Sequence, residues 1–207
     1  MKKFVASIFF VIVVFKLFGQ TACSYFLKLP CPEKWWVIKH IFIAKKVYLL
    51  SLEAVRETKT LLNDTTLDSD EAGGQLDAFR HAYWMALVSQ KYGKRKALSL
   101  GKAHEKGNYI YFKKNKLEDG LLPDYESSLM DYLNNDVGIE IGTKYKNLSK
   151  DELKKIVIQH ILEGKLFVLK KDSLGNYLNC NNEIIDLKEK KWKTDKCIVP
   201  SNVRRKD

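Results

Sequence analysis

The chain has 207 residues, 45% of them apolar and 29% charged, with four prolines and eleven glycines. That composition excludes long disorder, collagen-like repeats and a large two-domain enzyme, and fits one folded domain. A formal net charge of +11, from 36 basic against 25 acidic side chains, poses the question of a nucleic-acid or anionic partner, to be judged by where the charges sit.

Met1-Lys2-Lys3 precedes an apolar run from Phe4 to Phe15 broken only by Ser7, and Lys16 ends it. This is the layout of a signal peptide over residues 1–22, and the run stops short of the ~20 apolar residues of a membrane-spanning helix. Export to the periplasm, cell envelope or exterior follows, with cleavage after Gln20 or Ala22. Acylation of Cys23 is the lipoprotein alternative, although Gln20 stands where an aliphatic residue is usual. Removal of the segment takes Lys2, Lys3 and Lys16 out of the charge balance.

In an oxidising compartment the four cysteines, Cys23, Cys31, Cys180 and Cys197, permit three pairings. The short loops favour 23 with 31 and 180 with 197. None of the spacings is that of a tight Cys-x-x-Cys metal site.

Residues 23–164 read as a mainly α domain, a bundle of about five helices, and residues 165–207 as a hairpin or basic arm. The leading segment carries Pro30-Cys31-Pro32 and Trp35-Trp36, which reads as a lid over the core. In the first helix Ala44, Val47, Ser51, Ala54, Val55, Thr58 and Leu61 recur at steps of three and four, the stripe of an amphipathic helix. The next, Gln75 to Tyr92, is apolar almost all round and therefore buried, yet it contains Asp77, Arg80 and His81. Burying such groups is costly unless they pair or bind a metal.

A third helix from Lys94 to about Lys106 carries His104 and Glu105, with Gly107 in the loop after it. The fourth, about Ser127 to Lys146, places Asp131, Asn134 and Asn135 beside its core stripe, and Gly138 and Gly142 predict close approach of another helix or a ligand. Ser149-Lys150-Asp151-Glu152 opens the fifth with a capping box. Beyond Gly164, Lys165–Lys170 and Asn176–Cys180 flank a Gly175 turn and predict a β-hairpin. Residues 165–207 hold eleven basic against six acidic groups, so much of the excess charge lies in this arm. Tyr109, Tyr111 and Phe112 among Lys113, Lys114 and Lys116 make a weak nucleic-acid signal at most, and export argues against it. A contact of the arm with an anionic surface is the expectation instead.

Asp77 and His81 stand four apart on one helix face, and Asp131 and Asn135 repeat the relation. With His104 and Glu105, three helices offer ligand-type groups from buried faces. The set suffices for one divalent metal, Zn²⁺, Mn²⁺ or Fe²⁺, on His81, His104 and Asp131, with Glu105 as general base and Asp77 as a further catalytic carboxylate. Arg80, Asn134 and Asn135 are expected to support or bind. A metal-free His–Asp dyad uses the same residues, and a purely structural polar network, Arg80 with Glu105, is the bland alternative. The loop Asp68–Gly74 does not fit a calcium-binding EF-hand, because Ala72 and Phe79 stand where oxygen ligands are needed. It reads as an acidic helix entrance from which Asp70 could reach the site. His40 and His160 are expected to be structural.

The blocks Gly73-Gly74-Gln75-Leu76-Asp77-Ala78-Phe79-Arg80-His81-Ala82-Tyr83-Trp84, Leu100-Gly101-Lys102-Ala103-His104-Glu105 and Met130-Asp131-Tyr132-Leu133-Asn134-Asn135-Asp136-Val137-Gly138 resemble an uncharacterised family of secreted bacterial proteins, classed as a domain of unknown function. Cys31 to Trp36 resembles it too. Asp-x-x-Arg-His and Met-Asp-x-x-Asn-Asn blocks are similar, more distantly, to C-terminal domains of bacterial polymorphic toxins. The resemblance implies a shared polar site and names no reaction. Two readings stand: an envelope hydrolase acting on an unidentified small molecule or envelope material, and a non-catalytic envelope protein held together by a buried polar network.

Overall fold

The structure, a computed structural model, describes residues 24–118 and 120–203. The signal segment, Cys23 and the terminal Arg204-Arg205-Lys206 lie outside these. Residues 24–28 are helical, followed by α1 (Cys31–Lys39), α2 (Ile41–Leu61), α3 (Gln75–Tyr92), α4 (Lys94–Lys113), α5 (Tyr125–Lys144) and α6 (Lys150–Leu162), then β1 (Phe167–Leu169) and β2 (Ile198–Pro200). The protein is mainly α with one small antiparallel sheet, as expected. No helix among the described residues is long and apolar enough to cross a membrane.

The central element is α3, whose Leu76, Phe79, Ala82, Tyr83, Met85, Ala86 and Val88 are all essentially inaccessible. It packs against α2, α4, α5 and α6. Its tightest contact is with α5: a Cβ on Gly138 would lie 2.1 Å from the Ala82 carbonyl oxygen, and one on Gly142 2.1 Å from that of Ala86. The two glycines therefore serve helix contact. That contact brings the polar face of α5 against Asp77 and His81.

Caps set the helix starts. Asp124 accepts a hydrogen bond from the Ser127 backbone and begins α5 two residues before the expected start. Ser149 and Glu152 form the expected capping box of α6. The leading segment covers the core as a helix, Cys31–Lys39, with one tryptophan of the pair. Trp36 is buried and donates to Ser99 Oγ at 2.8 Å, but Trp35 is exposed. Helix α4 runs on to Lys113, past the expected end, with Gly107 inside it where Pro30 packs so closely that a Cβ would meet its Cγ at 2.6 Å. Tyr109 and Phe112 are thus helical and pack on Trp192 of the arm, at 4.9 and 5.1 Å between ring centroids.

In the arm, β1 pairs with β2, while the nearer Asn176–Cys180 segment folds back around the Gly175 turn through the bridge Lys171–Tyr177 and the Leu178 N–H to Lys170 carbonyl bond, and bridges Leu178 to Ile184. The disulfide Cys180–Cys197 joins the intervening loop to the segment leading into β2. The other preferred pairing does not form among the described residues: Cys31 is an exposed free thiol.

Candidate functional site

The site lies where α3, α4 and α5 meet. His81, one turn beyond Asp77, is 1% exposed at its side chain, and its Nε2 lies 3.6 Å from Asp77 Oδ1 and 3.4 Å from Asp131 Oδ1. Neither imidazole nitrogen has a hydrogen-bond partner among the described residues, nor does Asp131 Oδ1 or Asn135 Oδ1. Asp77 is held in place: Oδ1 accepts from Arg80 Nη2 at 2.6 Å and Oδ2 from the Gly73 backbone at 2.9 Å. Gly73, at φ +92°, supplies the backbone conformation that presents this N–H.

Glu105 stands beside this group, accepting from Asn108 at 3.1 Å and from Asn135 at 3.4 Å. Two sets of three ligand atoms each lie within 4.8 Å of one another, Asp77–His81–Asp131 and His81–His104–Glu105. His81 belongs to both. The expected ligands His104 and Asp131 fall in different sets, and Asp77 takes the place beside His81 and Asp131.

Two residues outside the expected site, Glu33 and Glu118, determine the state of His104. Its Nδ1 lies 3.3 Å from Glu33 Oε1 on α1, and its Nε2 3.2 Å from Glu118 Oε1 in the loop after α4. Trp84 packs edge-on against the ring. Burial disfavours the imidazolium, but the two carboxylates outweigh it and hold His104 well above the ordinary histidine range. His81 moves the opposite way: burial, with Arg80 and the charge on His104 nearby, holds it well below that range.

The carboxylates show the converse. Burial, Asp77 and Glu105 push Asp131 well above the usual range, and burial pushes Glu105 up to about 7. Burial acts to raise Glu118 also, yet the His104 charge keeps it below the ordinary value. Among the described residues, five carboxyl groups, on Glu33, Asp77, Glu105, Glu118 and Asp131, thus face the guanidinium of Arg80 and the imidazolium of His104. A buried group with that imbalance takes up protons or a cation.

Asn134 is placed elsewhere. It is fully buried and clamps β1, donating to the Phe167 carbonyl and accepting from the Phe167 N–H, both at 2.9 Å. Asp70 does not reach the site, for its Oδ2 pairs with Lys171 Nζ at 2.6 Å. His40 and His160 bond backbone carbonyls of their own helical turns.

Two cavities flank the cluster and share Arg80 and Glu118 as walls. One, of about 430 Å³, is lined mostly by apolar and aromatic residues of α1, α2 and the 24–28 helical segment, with Glu33, Ser51, Arg80, His104 and Glu118 among its polar residues. The other, of about 320 Å³, is bounded by Asp77, Asp131 and Ser128 on one side and the lysine-rich arm on the other.

Comparison with curated proteins and with solved structures gave no match. A family model does match residues 34–165, which hold all three helices of the cluster. The chain belongs to the family described as Domain of unknown function (DUF6973), and the match contains Asp77, His81, His104, Glu105 and Asp131 within one polar centre.

Proposed function

We propose that the protein is a metal-dependent hydrolase exported to the cell envelope, with one divalent cation on Asp77, His81 and Asp131. The observation that carries this is the spacing of the ligand atoms. Arms of about 2.0–2.2 Å in a tetrahedral site set neighbouring ligand atoms about 3.3–3.6 Å apart, and the distances from His81 Nε2 to the two carboxylate oxygens are 3.4 and 3.6 Å. These atoms are too poorly aligned to satisfy one another: both His81 Nε2 and Asp131 Oδ1 lack a hydrogen bond. The disulfide is consistent with an oxidising compartment.

A cation held by Asp77, His81 and Asp131 would supply Lewis acidity and positive charge toward an ester oxygen, carboxylic or phosphoric. Glu105, fixed by Asn108 and Asn135, takes a proton from the attacking water. The water oxygen bonds to the acyl or phosphoryl centre, the bond to the leaving oxygen breaks, and Glu105 returns the proton to that oxygen. Atoms and charge balance as ester plus water giving acid plus alcohol. His104 and Arg80 contribute fixed positive charge beside the reacting group.

The second reading, a structural network, is favoured at one position: His104 ties α1 and the loop after α4 together through Glu33 and Glu118. The test uses hydrolysis of 4-nitrophenyl butyrate and bis(4-nitrophenyl) phosphate by the full chain. The expected result is turnover of one of them, abolished by chelation, restored by Zn²⁺, Mn²⁺ or Fe²⁺, and lost in Glu105→Gln although that variant keeps its metal. Turnover indifferent to chelation, or unchanged in Glu105→Gln, would contradict the reading.

A further inference from the structure

We infer that the larger of the two flanking cavities binds a hydrophobic amine, its ammonium against Glu33 and Glu118 and its apolar body along α2. The site stands apart from the proposed cation, because Asp77, His81, Glu105 and Asp131 are not among its walls. Its volume of about 430 Å³ falls in the range of small-molecule sites, which are mostly apolar with a few convergent polar groups.

Charge sets the sign of the ligand. Among the described residues, the charged side chains of the wall are Glu33, Arg80, His104 and Glu118. Arg80 is paired with Asp77 at 2.6 Å, and His104 is shared by the two glutamates at 3.3 and 3.2 Å, one ring nitrogen on each. Two carboxylates thus have one imidazolium between them, and one positive charge is wanting. Each glutamate meets His104 through its Oε1, which leaves Oε2 as an acceptor toward the cavity's occupant. An ammonium brings both the charge and the N–H donors. An alcohol brings only a donor, and an anion would meet two carboxylates.

Aromatic residues gather at the same end. Tyr25 and Tyr48 pack at 4.7 Å between ring centroids, Trp84 stands edge-on to His104, and burial together with the Glu33 charge raises the hydroxyls of Tyr25 and Tyr111. All four line the cavity, and aromatic rings around a desolvated site attract an organic cation. Farther along, the wall is apolar, with Val47, Leu52, Val55 and Leu100. Leu52 and Val55 are also exposed, so the entrance suits an apolar body.

The test is fluorescence titration of the metal-free full chain with monodansylcadaverine, which joins a dansyl group to a primary amine. A blue-shifted signal that saturates at one equivalent is expected. The analogue with a hydroxyl in place of the amine should bind at least tenfold less tightly, and the analogue with a carboxylate should not bind. Glu33→Gln, which removes one negative charge at nearly constant shape, should weaken the amine at least tenfold and the hydroxyl analogue far less. Ser51→Trp and Val55→Trp, which place an indole in the cavity from α2, should each weaken the amine at least tenfold with unchanged circular dichroism. Absence of amine binding by the parent chain, equal binding of the hydroxyl analogue, or parental amine binding in folded Glu33→Gln or in both tryptophan variants would overturn the inference. Since neither metal nor turnover enters, the outcome is independent of the hydrolase reading.

Discussion

The protein buries charge in two places and treats it differently. Under the C-terminal arm, Lys196 Nζ meets Asp124 Oδ2 at 2.5 Å and Lys171 Nζ meets Asp70 Oδ2 at 2.6 Å, each buried cation directly paired with a carboxylate, with all four side chains 12% exposed or less. At the junction of α3, α4 and α5 the carboxyl groups outnumber the cations among the described residues, and buried nitrogen and oxygen atoms there lack hydrogen-bond partners among those residues. A matched pair holds an arm to a body. An unmatched cluster is a place prepared for a ligand, because the missing partner must come from outside.

If this contrast is right, removing one member of a matched pair costs far more than removing one member of the cluster. Lys196→Met leaves the Asp124 carboxylate buried alone and should lower stability by about 3–5 kcal/mol in urea unfolding. Adding Asp124→Asn, which keeps the helix cap, should recover part of it. Asn134→Ala, which strands the N–H and carbonyl of Phe167, should cost about 2 kcal/mol by the same measurement. Asp131→Asn in metal-free protein relieves crowding among carboxylates and should leave stability unchanged or raise it by on the order of 1 kcal/mol, while abolishing the stabilisation that added cation gives the parent chain. A large loss of stability in metal-free Asp131→Asn would erase the contrast.

The smallest expected effect concerns a surface pair, Lys154 with Glu57 at 3.0 Å, which links α6 to α2. The hydrogen bond from Lys154 holds the Glu57 carboxyl below its ordinary value of 4.5. A depressed carboxyl contributes stability above the unfolded value and loses it as pH falls through the folded one. Glu57→Gln should therefore cost about 0.3–0.5 kcal/mol at neutral pH, and the difference from the parent should close below pH ~4. A difference that persisted in acid would assign the effect to packing.

How much of this was legible in the sequence follows from the range of each interaction. Asp77 and His81 share a helix face by spacing alone, and the glycines of α5 announced a close helix contact that Ala82 and Ala86 provide. Nothing in the sequence tied Glu33 or Glu118 to the site: Glu33, in the Cys31–Trp36 block, reaches His104 across 71 residues, and Glu118 sits in a loop without periodicity. Asn134 and Asn135 are adjacent, but a helix turns about 100° per residue, so one faces β1 and the other Glu105. The arm was legible in part: the turn at Gly175 forms, bridging Lys171 to Tyr177, but the pairing of β1 with the distant β2 depends on Asn134, which holds Phe167, and on the Cys180–Cys197 bridge, neither of which local alternation reports.

The central claim is that Asp77, His81 and Asp131 hold one cation, and titration of the full chain with Co²⁺, followed by visible absorption, tests it most directly. The account predicts a d–d band that saturates at one equivalent, is displaced by Zn²⁺, persists in Glu105→Gln and is lost in His81→Ala and in Asp131→Asn. No band in the parent chain, or an equal band in His81→Ala, would contradict it.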